Sequence, residues 1–207
     1  SIPLFLSGFF VLLYMKSDQI LLEWIRGSEE VGQYSIAVRC SECLFFLPII
    51  LSQTYLPKIG VDDLNANSNK IFLRGFYKAS WILGAFMMFL NFILFPKFVP
   101  IVFGNEYITA SSALRLLAPA AFAVSCGCAS NVWLNRKGFV NLISKRTLVG
   151  AILNIFLDLV LIPKYGFNGA AVATSISYLV SVFHIGFYDI LLYEHISEVA
   201  NPFSKKI

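Results

Sequence analysis

Five charged side chains, Lys16, Asp18, Arg39, Glu42 and Arg115, stand inside stretches otherwise dominated by Leu, Ile, Val, Phe and Ala. A charge placed in hydrocarbon costs at least ~2.5 kcal/mol, so residues of this kind face a protein-lined or water-filled interior, where they hold ions or charged substrates or pair with one another. Arg39 and Glu42 are three apart, a helical spacing at which the two can pair and lower each other's desolvation cost. At ~100° per residue Arg39, Glu42, Phe46 and Gln53 fall within about 60°, which puts their polar members on one helix face. Cations of this set suit a phosphate; the acids suit a coupling cation or proton. No acid–base dyad, nucleophile elbow, phosphate loop or metal cluster accompanies them, so enzyme chemistry has little support and no catalytic residue or metal ligand is assigned.

The elements that must position these charges are membrane helices. Of 207 residues 57% are hydrophobic, 14% are charged and 20 are Phe, and the mean hydropathy is +0.73, which excludes an ordinary soluble domain. Apolar runs able to cross a core of ~30 Å with roughly 20 residues each lie at about 2–24, 34–57, 76–95, 109–134, 147–163 and 168–192. The fold class expected is therefore an all-α membrane protein with a six-helix bundle over 1–207. The fifth run reaches full length only if Lys145, Arg146 and Lys164 snorkel to the interfaces. Alternate loops divide the basic residues: Lys58, Lys70, Arg74, Lys78, Arg136, Lys137, Lys145, Arg146, Lys205 and Lys206 on one side, against Arg26, Lys97 and Lys164 on the other. Cytoplasmic loops collect Lys and Arg, so both ends are expected in the cytoplasm. The +4 net charge then reflects topology and implies no nucleic-acid partner. The chain opens without Met, almost directly in an apolar run, and without the features of a signal peptide, as expected of the C-terminal part of a longer protein.

This topology gives the charges a common depth. Lys16 and Asp18 fall toward the outer end of the first span, Arg39 and Glu42 in the outer half of the second, and Arg115 about two turns inside the fourth; Asp158, near the outer end of the fifth, is a candidate sixth. Bland alternatives stand beside each: Lys16 and Arg115 can snorkel, Asp18 can cap an interface, and Arg39–Glu42 can be a purely structural pair. His184 and Asp189 read as a packed histidine and an interfacial acid. Cys40, Cys43, Cys126 and Cys128 read as small residues in helix packing rather than a redox or metal set. Pro48 and Pro119 should kink the second and fourth spans, and the stripes Gly169/Ala173/Ser177/Ser181 and Ala121/Ser125/Ala129 let helix backbones approach closely.

Tyr34-Ser-Ile-Ala-Val-Arg39-Cys-Ser-Glu42, followed by Leu47-Pro48 and Leu56-Pro57, resembles the eighth transmembrane region of the polysaccharide and O-antigen flippases of the multidrug/oligosaccharidyl-lipid/polysaccharide exporter superfamily. Phe103-Gly-Asn-Glu-Tyr107 and the block from Asn154 through Ile162-Pro163-Lys-Tyr-Gly166-Phe-Asn-Gly169 to Thr174 are similar to the same family. The resemblance runs from Pro3 to about Tyr188 and corresponds to the second six-helix lobe of a longer transporter, whose N-terminal lobe is not in this chain. It implies a flippase carrying an undecaprenyl-diphosphate-linked oligosaccharide, an O-antigen or capsule repeat unit, to the outer leaflet of the bacterial inner membrane by rocking two lobes around a cavity. Arg39, Glu42 and Asp18 match family cavity positions, whereas Asp158 stands where members usually have Asn. Lys16, Arg115 and Gln53 are nominated on physical grounds alone.

On this reading Arg39, Arg115 and Lys16 offset the diphosphate, while Glu42 and Asp18 hold the arginines and bind a coupling H+ or Na+; no other cofactor is expected. Partners would be the lipid-linked oligosaccharide, membrane lipids, the other lobe and a polysaccharide polymerase. Two alternatives stay open: a cation-coupled multidrug or metabolite antiporter of the same superfamily, and a non-transporting membrane scaffold for polysaccharide assembly.

Overall fold

The computed structural model describes residues 16–55, 67–136 and 140–183. Most of the first span, residues 56–66 of the basic loop after the second, and everything after Phe183, including His184, Asp189 and the remainder of the sixth span, lie outside the described residues, while Lys70, Arg74 and Lys78 fall on a helix that begins at Asn67. Within them the chain is entirely helical apart from its turns: α1 (16–26), α2 (Ser28–Glu42), α3 (Phe46–Tyr55), α4 (Asn67–Phe89), α5 (Phe95–Phe103), α6 (Ala110–Arg136), α7 (Val140–Tyr165) and α8 (Phe167–Phe183).

Glycines make the tight corners. Gly27, at φ 91°, separates α1 from α2, Gly104, at φ 100°, ends α5, and Gly166, at φ 58°, turns α7 into α8; a side chain is disfavoured at all three angles. Two prolines reshape helices without ending the spans. Pro48 has no N–H to offer the Leu44 carbonyl four residues back, and that carbonyl instead accepts the Leu47 amide at 3.0 Å, next to a break at 43–45. The kink expected at Pro48 thus sits just upstream of it. Before Pro96 the α4 helix widens into a π-helical turn, Leu90–Leu94, with the Phe95 amide bonded to the Leu90 carbonyl. The wider turn relieves the clash a proline ring makes with a carbonyl four residues earlier, so α5 continues the same span to Phe103. This corrects the expected loop at Pro96–Tyr107: helix persists, and the connection shrinks to 104–109. Pro119 lies inside an unbroken α6.

Four stretches are long and apolar enough to cross a membrane, Ser28–Tyr55, Phe72–Phe103, Ala110–Asn135 and Leu142–Tyr165, with Phe167–Phe183 a shorter apolar helix. The third of these is the axis of the bundle: 61% of it is buried, against 22–28% for the others. Its sequence explains why, since Ala113, Ala118, Ala120, Ala121, Ala123, Gly127 and Ala129 present almost no side-chain bulk and admit neighbours on every side. Tyr34, Ala37 and Val38 of α2 pack on Ala110, Ala113, Leu114 and Leu117. At the opposite end Leu73, Phe76 and Tyr77 of α4 cover Ala129 and Val132, and Tyr55 stacks on Phe76 at 4.9 Å. The Ser125 hydroxyl donates to the Ser80 carbonyl at 2.8 Å. α8 closes on α7 through Gly169 and on α6 through Val182.

Outward faces carry large apolar side chains where a soluble bundle would be polar. Ile82, Phe86 and Phe92 on α4 and the π turn, Ile101 on α5, and Leu148, Ile152 and Phe156 on α7 are all more than half exposed. Such surfaces are covered by lipid. The protein is an all-α, multi-pass membrane protein.

Candidate functional site

Four helices meet around one narrow cleft. α1 supplies Asp18, α2 supplies Tyr34, Val38, Ser41 and Glu42, α7 supplies Asn154, and α8 supplies Thr174, Ser177 and Tyr178, with Leu117 and Ala120 of α6 as its floor. Small residues on α6 and α8 are what allow polar side chains from α1 and α7 to reach the same place. About 50 Å³ of free volume remains. That is room for a small ion or very few waters, and none for a sugar.

Asp18, 8% exposed, is held from two directions: the Tyr34 hydroxyl donates to Oδ2 at 2.6 Å and the Gln19 amide to Oδ1 at 2.8 Å. Tyr34 is wholly buried and its oxygen lies 3.2 Å from Thr174 Oγ1. Its single proton goes to the carboxylate, so the threonine hydroxyl donates to it. A chain Thr174–Tyr34–Asp18 therefore links α8, α2 and α1. Tyr34→Phe is expected to destabilise the purified full-length protein by about 1–3 kcal/mol, because it leaves a buried carboxylate oxygen without its donor; a thermal midpoint equal to wild type would remove this chain from the account.

Asp158 sits beside the cleft with no solvent exposure, and neither of its oxygens has a hydrogen-bond partner among the described residues. It is close enough to Asp18 for the two charges to interact. Asn154, one helical turn earlier on the same α7 face, has an Nδ2 without a partner among the described residues, as has Ser177 Oγ. Asp18, the half-buried Glu42, the Asn154 carboxamide and several hydroxyls line the cleft with no Lys or Arg among them, and the buried Asp158 interacts with the charge of Asp18 from one turn beyond Asn154. Uncompensated buried charge of this kind is costly, and a hard cation or a proton is the species that relieves it.

A second device holds the corner of the same four helices. Arg26 donates to the last-turn carbonyls of α7, Nη2 to Pro163 O at 2.9 Å and Nε to Ile162 O at 3.3 Å. Glu30 accepts the first amide of α8, Phe167 N, at 2.9 Å, and the two side chains approach to 4.0 Å. A cation at a helix C-terminus and an anion at an N-terminus each match the helix dipole, so α1 and α2 are tied to the α7–α8 turn.

The charged constellation is divided by the fold. Asp18 and Glu42 line the cleft and Asp158 adjoins it. Arg39 is exposed, and no ion pair with Glu42 forms among the described residues; sixty degrees of separation suffices to turn one side chain into the cleft and the other onto the surface. Lys16 is exposed, though its charge reaches Asp18. Gln53 is exposed on α3, beyond the helix break. Arg115 lines a separate groove with Pro96, Pro100, Thr109 and Asn168. The expected charges are thus divided: Asp18 and Glu42 line this cleft, whereas Arg39, Lys16 and Arg115 are exposed outside it, because the helix angles that bring the carboxylates together point the basic side chains elsewhere. Tyr34, Asn154, Thr174 and Ser177 are contributors that charge alone did not reveal; the Asn154-x-x-x-Asp158 spacing was the available signal. Cys43, in the turn that follows α2, donates to the Cys40 carbonyl, and no cluster of three or more His, Cys, Asp or Glu forms a metal group among the described residues.

No family model matches the chain, and no solved structure matches it. It is similar to curated archaeal membrane proteins. An uncharacterized membrane protein of Methanocaldococcus jannaschii is 28% identical over 194 residues, which cover 92% of this chain and 45% of that protein. The probable low-salt glycan biosynthesis flippase Agl15 of Haloferax volcanii is 24% identical over 85% of this chain and 37% of its own length. The probable flippase AglR of the same organism is 26% identical over 79% of this chain and 35% of its own. The chain thus spans less than half the length of these relatives. The likeness is to flippase-like membrane proteins, and points to a transporter rather than an enzyme.

Proposed function

We propose that this chain is one lobe of an alternating-access flippase for a polyprenyl-diphosphate-linked oligosaccharide, and that a coupling cation, Na+ or H+, enters the cleft lined by Asp18 and Glu42, beside Asp158, to drive the lobe between its states. The observation that carries the proposal is Asp158: a wholly buried carboxylate with both oxygens unpartnered among the described residues, whose charge interacts with that of Asp18, in a chain similar to proteins named as flippases. The undecaprenyl carrier, the O-antigen or capsule repeat and the bacterial inner membrane come from the family resemblance; the relatives named as flippases are archaeal, so the proposal is kept to a polyprenyl carrier without fixing its kind. Cytoplasmic chain ends follow from the distribution of Lys and Arg.

The physical logic is charge compensation. Empty, the two carboxylates repel and resist burial, which favours separation of α1 from α7. Occupied, they are neutralised and the cleft closes. A cation can shift the two states only by its difference in affinity for them. The glycolipid head is far too large for the cleft, so its diphosphate is assigned to the exposed face, where Arg39 and Lys16 lie, and to the other lobe. Reconstitution of the full-length protein in vesicles tests this: a fluorescent polyprenyl-diphosphate oligosaccharide should cross in response to an imposed Na+ or proton gradient, and no dependence on either gradient would sink the coupling role. The antiporter reading is favoured by the lack of cations lining the cleft; uptake of a lipophilic cation in place of the glycolipid would select it. A scaffold would move neither.

A further inference from the structure

We infer that the groove between the α5–α6 corner and the start of α8 binds the phosphodiester headgroup of a bilayer phospholipid, with Arg115 as its charged ligand. The groove has about 490 Å³ of free volume and shares no lining residue with the Asp18 cleft. Arg115 is exposed into it and makes no hydrogen bond or ion pair among the described residues. Two neutral polar groups lie alongside. Asn168 pairs with the Ser112 hydroxyl at 2.7 Å, a hydroxyl that also lies 2.7 Å from the Thr109 carbonyl. The Thr109 hydroxyl has no partner among the described residues.

No carboxylate lines the groove, so its polar lining selects an anion. One guanidinium presents a planar fork to two phosphate oxygens and balances a single negative charge. That matches a phosphodiester; a diphosphate carries more charge than one arginine offsets. The surroundings point to lipid. Ile101, Val102, Phe103 and Ile108, on the same corner, are 77%, 67%, 46% and 57% exposed, an apolar rim that acyl chains cover. Arg115 lies five residues inside the start of α6, about 7–8 Å along its axis, within reach of the headgroup level for a snorkelling side chain. The inference does not depend on the flippase reading.

The test uses the full-length protein in detergent, with bound lipid read by native mass spectrometry after addition of phosphatidylglycerol, of a phosphate-free glycosyl diacylglycerol, or of a polyprenyl diphosphate. Phosphatidylglycerol should be retained over the phosphate-free lipid, and Arg115→Gln should weaken its retention by ~10-fold, the loss of one charge-assisted hydrogen-bonded contact. Thr109→Val, which preserves shape and leaves Arg115 in place, should weaken it by roughly 3-fold and carries the test if the arginine variant does not fold. Retention unchanged in the folded variants overturns the site. So does preferential, Arg115-dependent binding of the polyprenyl diphosphate that phosphatidylglycerol cannot displace, which would give the groove to the glycolipid.

Discussion

Asp158→Asn is expected to cut gradient-driven transport by roughly one to two orders of magnitude while leaving the full-length protein at least as stable as wild type. The two halves of this result have one cause. Asp158 is wholly buried, and both carboxylate oxygens lack partners among the described residues, so its charge is a cost in the unoccupied state. The amide removes that charge at almost constant shape, which relieves the repulsion with Asp18 and spares the fold. The same change removes the negative charge that a coupling cation would compensate. Coupling free energies of this kind are typically 1–3 kcal/mol, so transport under a gradient should fall by roughly 10- to 100-fold. Vesicle transport and a thermal melt on the same preparation check it. Wild-type gradient dependence in the variant would end the proposed role of Asp158, and a lost fold would show that the carboxylate is structural.

Gly169→Ala is expected to produce the largest loss of stability from a single added methyl. A Cβ there would lie within 2.6 Å of the Leu161 carbonyl carbon, and that neighbour is backbone, which cannot rotate away. α8 would have to retreat from the end of α7, at the turn that Gly166, Arg26 and Glu30 hold shut. Overpacking of this kind costs typically 1–3 kcal/mol, occasionally more. Thr174 and Ser177 ride on the same helix, so the cleft should open as well. Gly32→Ala is the natural control: nothing lies within 4 Å of its Cβ position, it sits inside α2, and alanine there should gain roughly 0.5–1 kcal/mol. Thermal midpoints of the two variants should fall on opposite sides of wild type. Equal midpoints would show that the α7–α8 contact is looser than its geometry.

Much of the architecture was legible in residue order because hydrocarbon imposes a simple rule: long apolar runs become helices, since only helices satisfy their own backbone there. Ala121, Ser125 and Ala129 could be read as a packing stripe, and they do receive α4, because a lack of side-chain bulk has the same meaning wherever the helix ends up. Asp18, Glu42 and Asp158 could be singled out because charge at that depth is anomalous on any arrangement. Less readable was the helix beyond Pro96. A proline normally marks a stop, and here a π turn of five residues absorbs its missing hydrogen bond. Tyr34 was hidden too, since an aromatic residue in an apolar span is unremarkable until its hydroxyl is seen to meet a carboxylate.

The sequence by itself determined that this is a multi-pass helical membrane protein and which few charges must be explained. Helical periodicity states where a side chain points on its own helix, and nothing about what stands opposite. Only the tertiary structure decided that, by setting how α1, α2, α7 and α8 lean on the small-residue surface of α6. It brought Asp18 and Glu42 into one cleft with Asp158 beside it, turned Arg39 outward, and sent Arg115 to a groove of its own. Charges 24 to 140 residues apart come together because rigid helices fix their positions; three residues of separation did not suffice for Arg39 and Glu42.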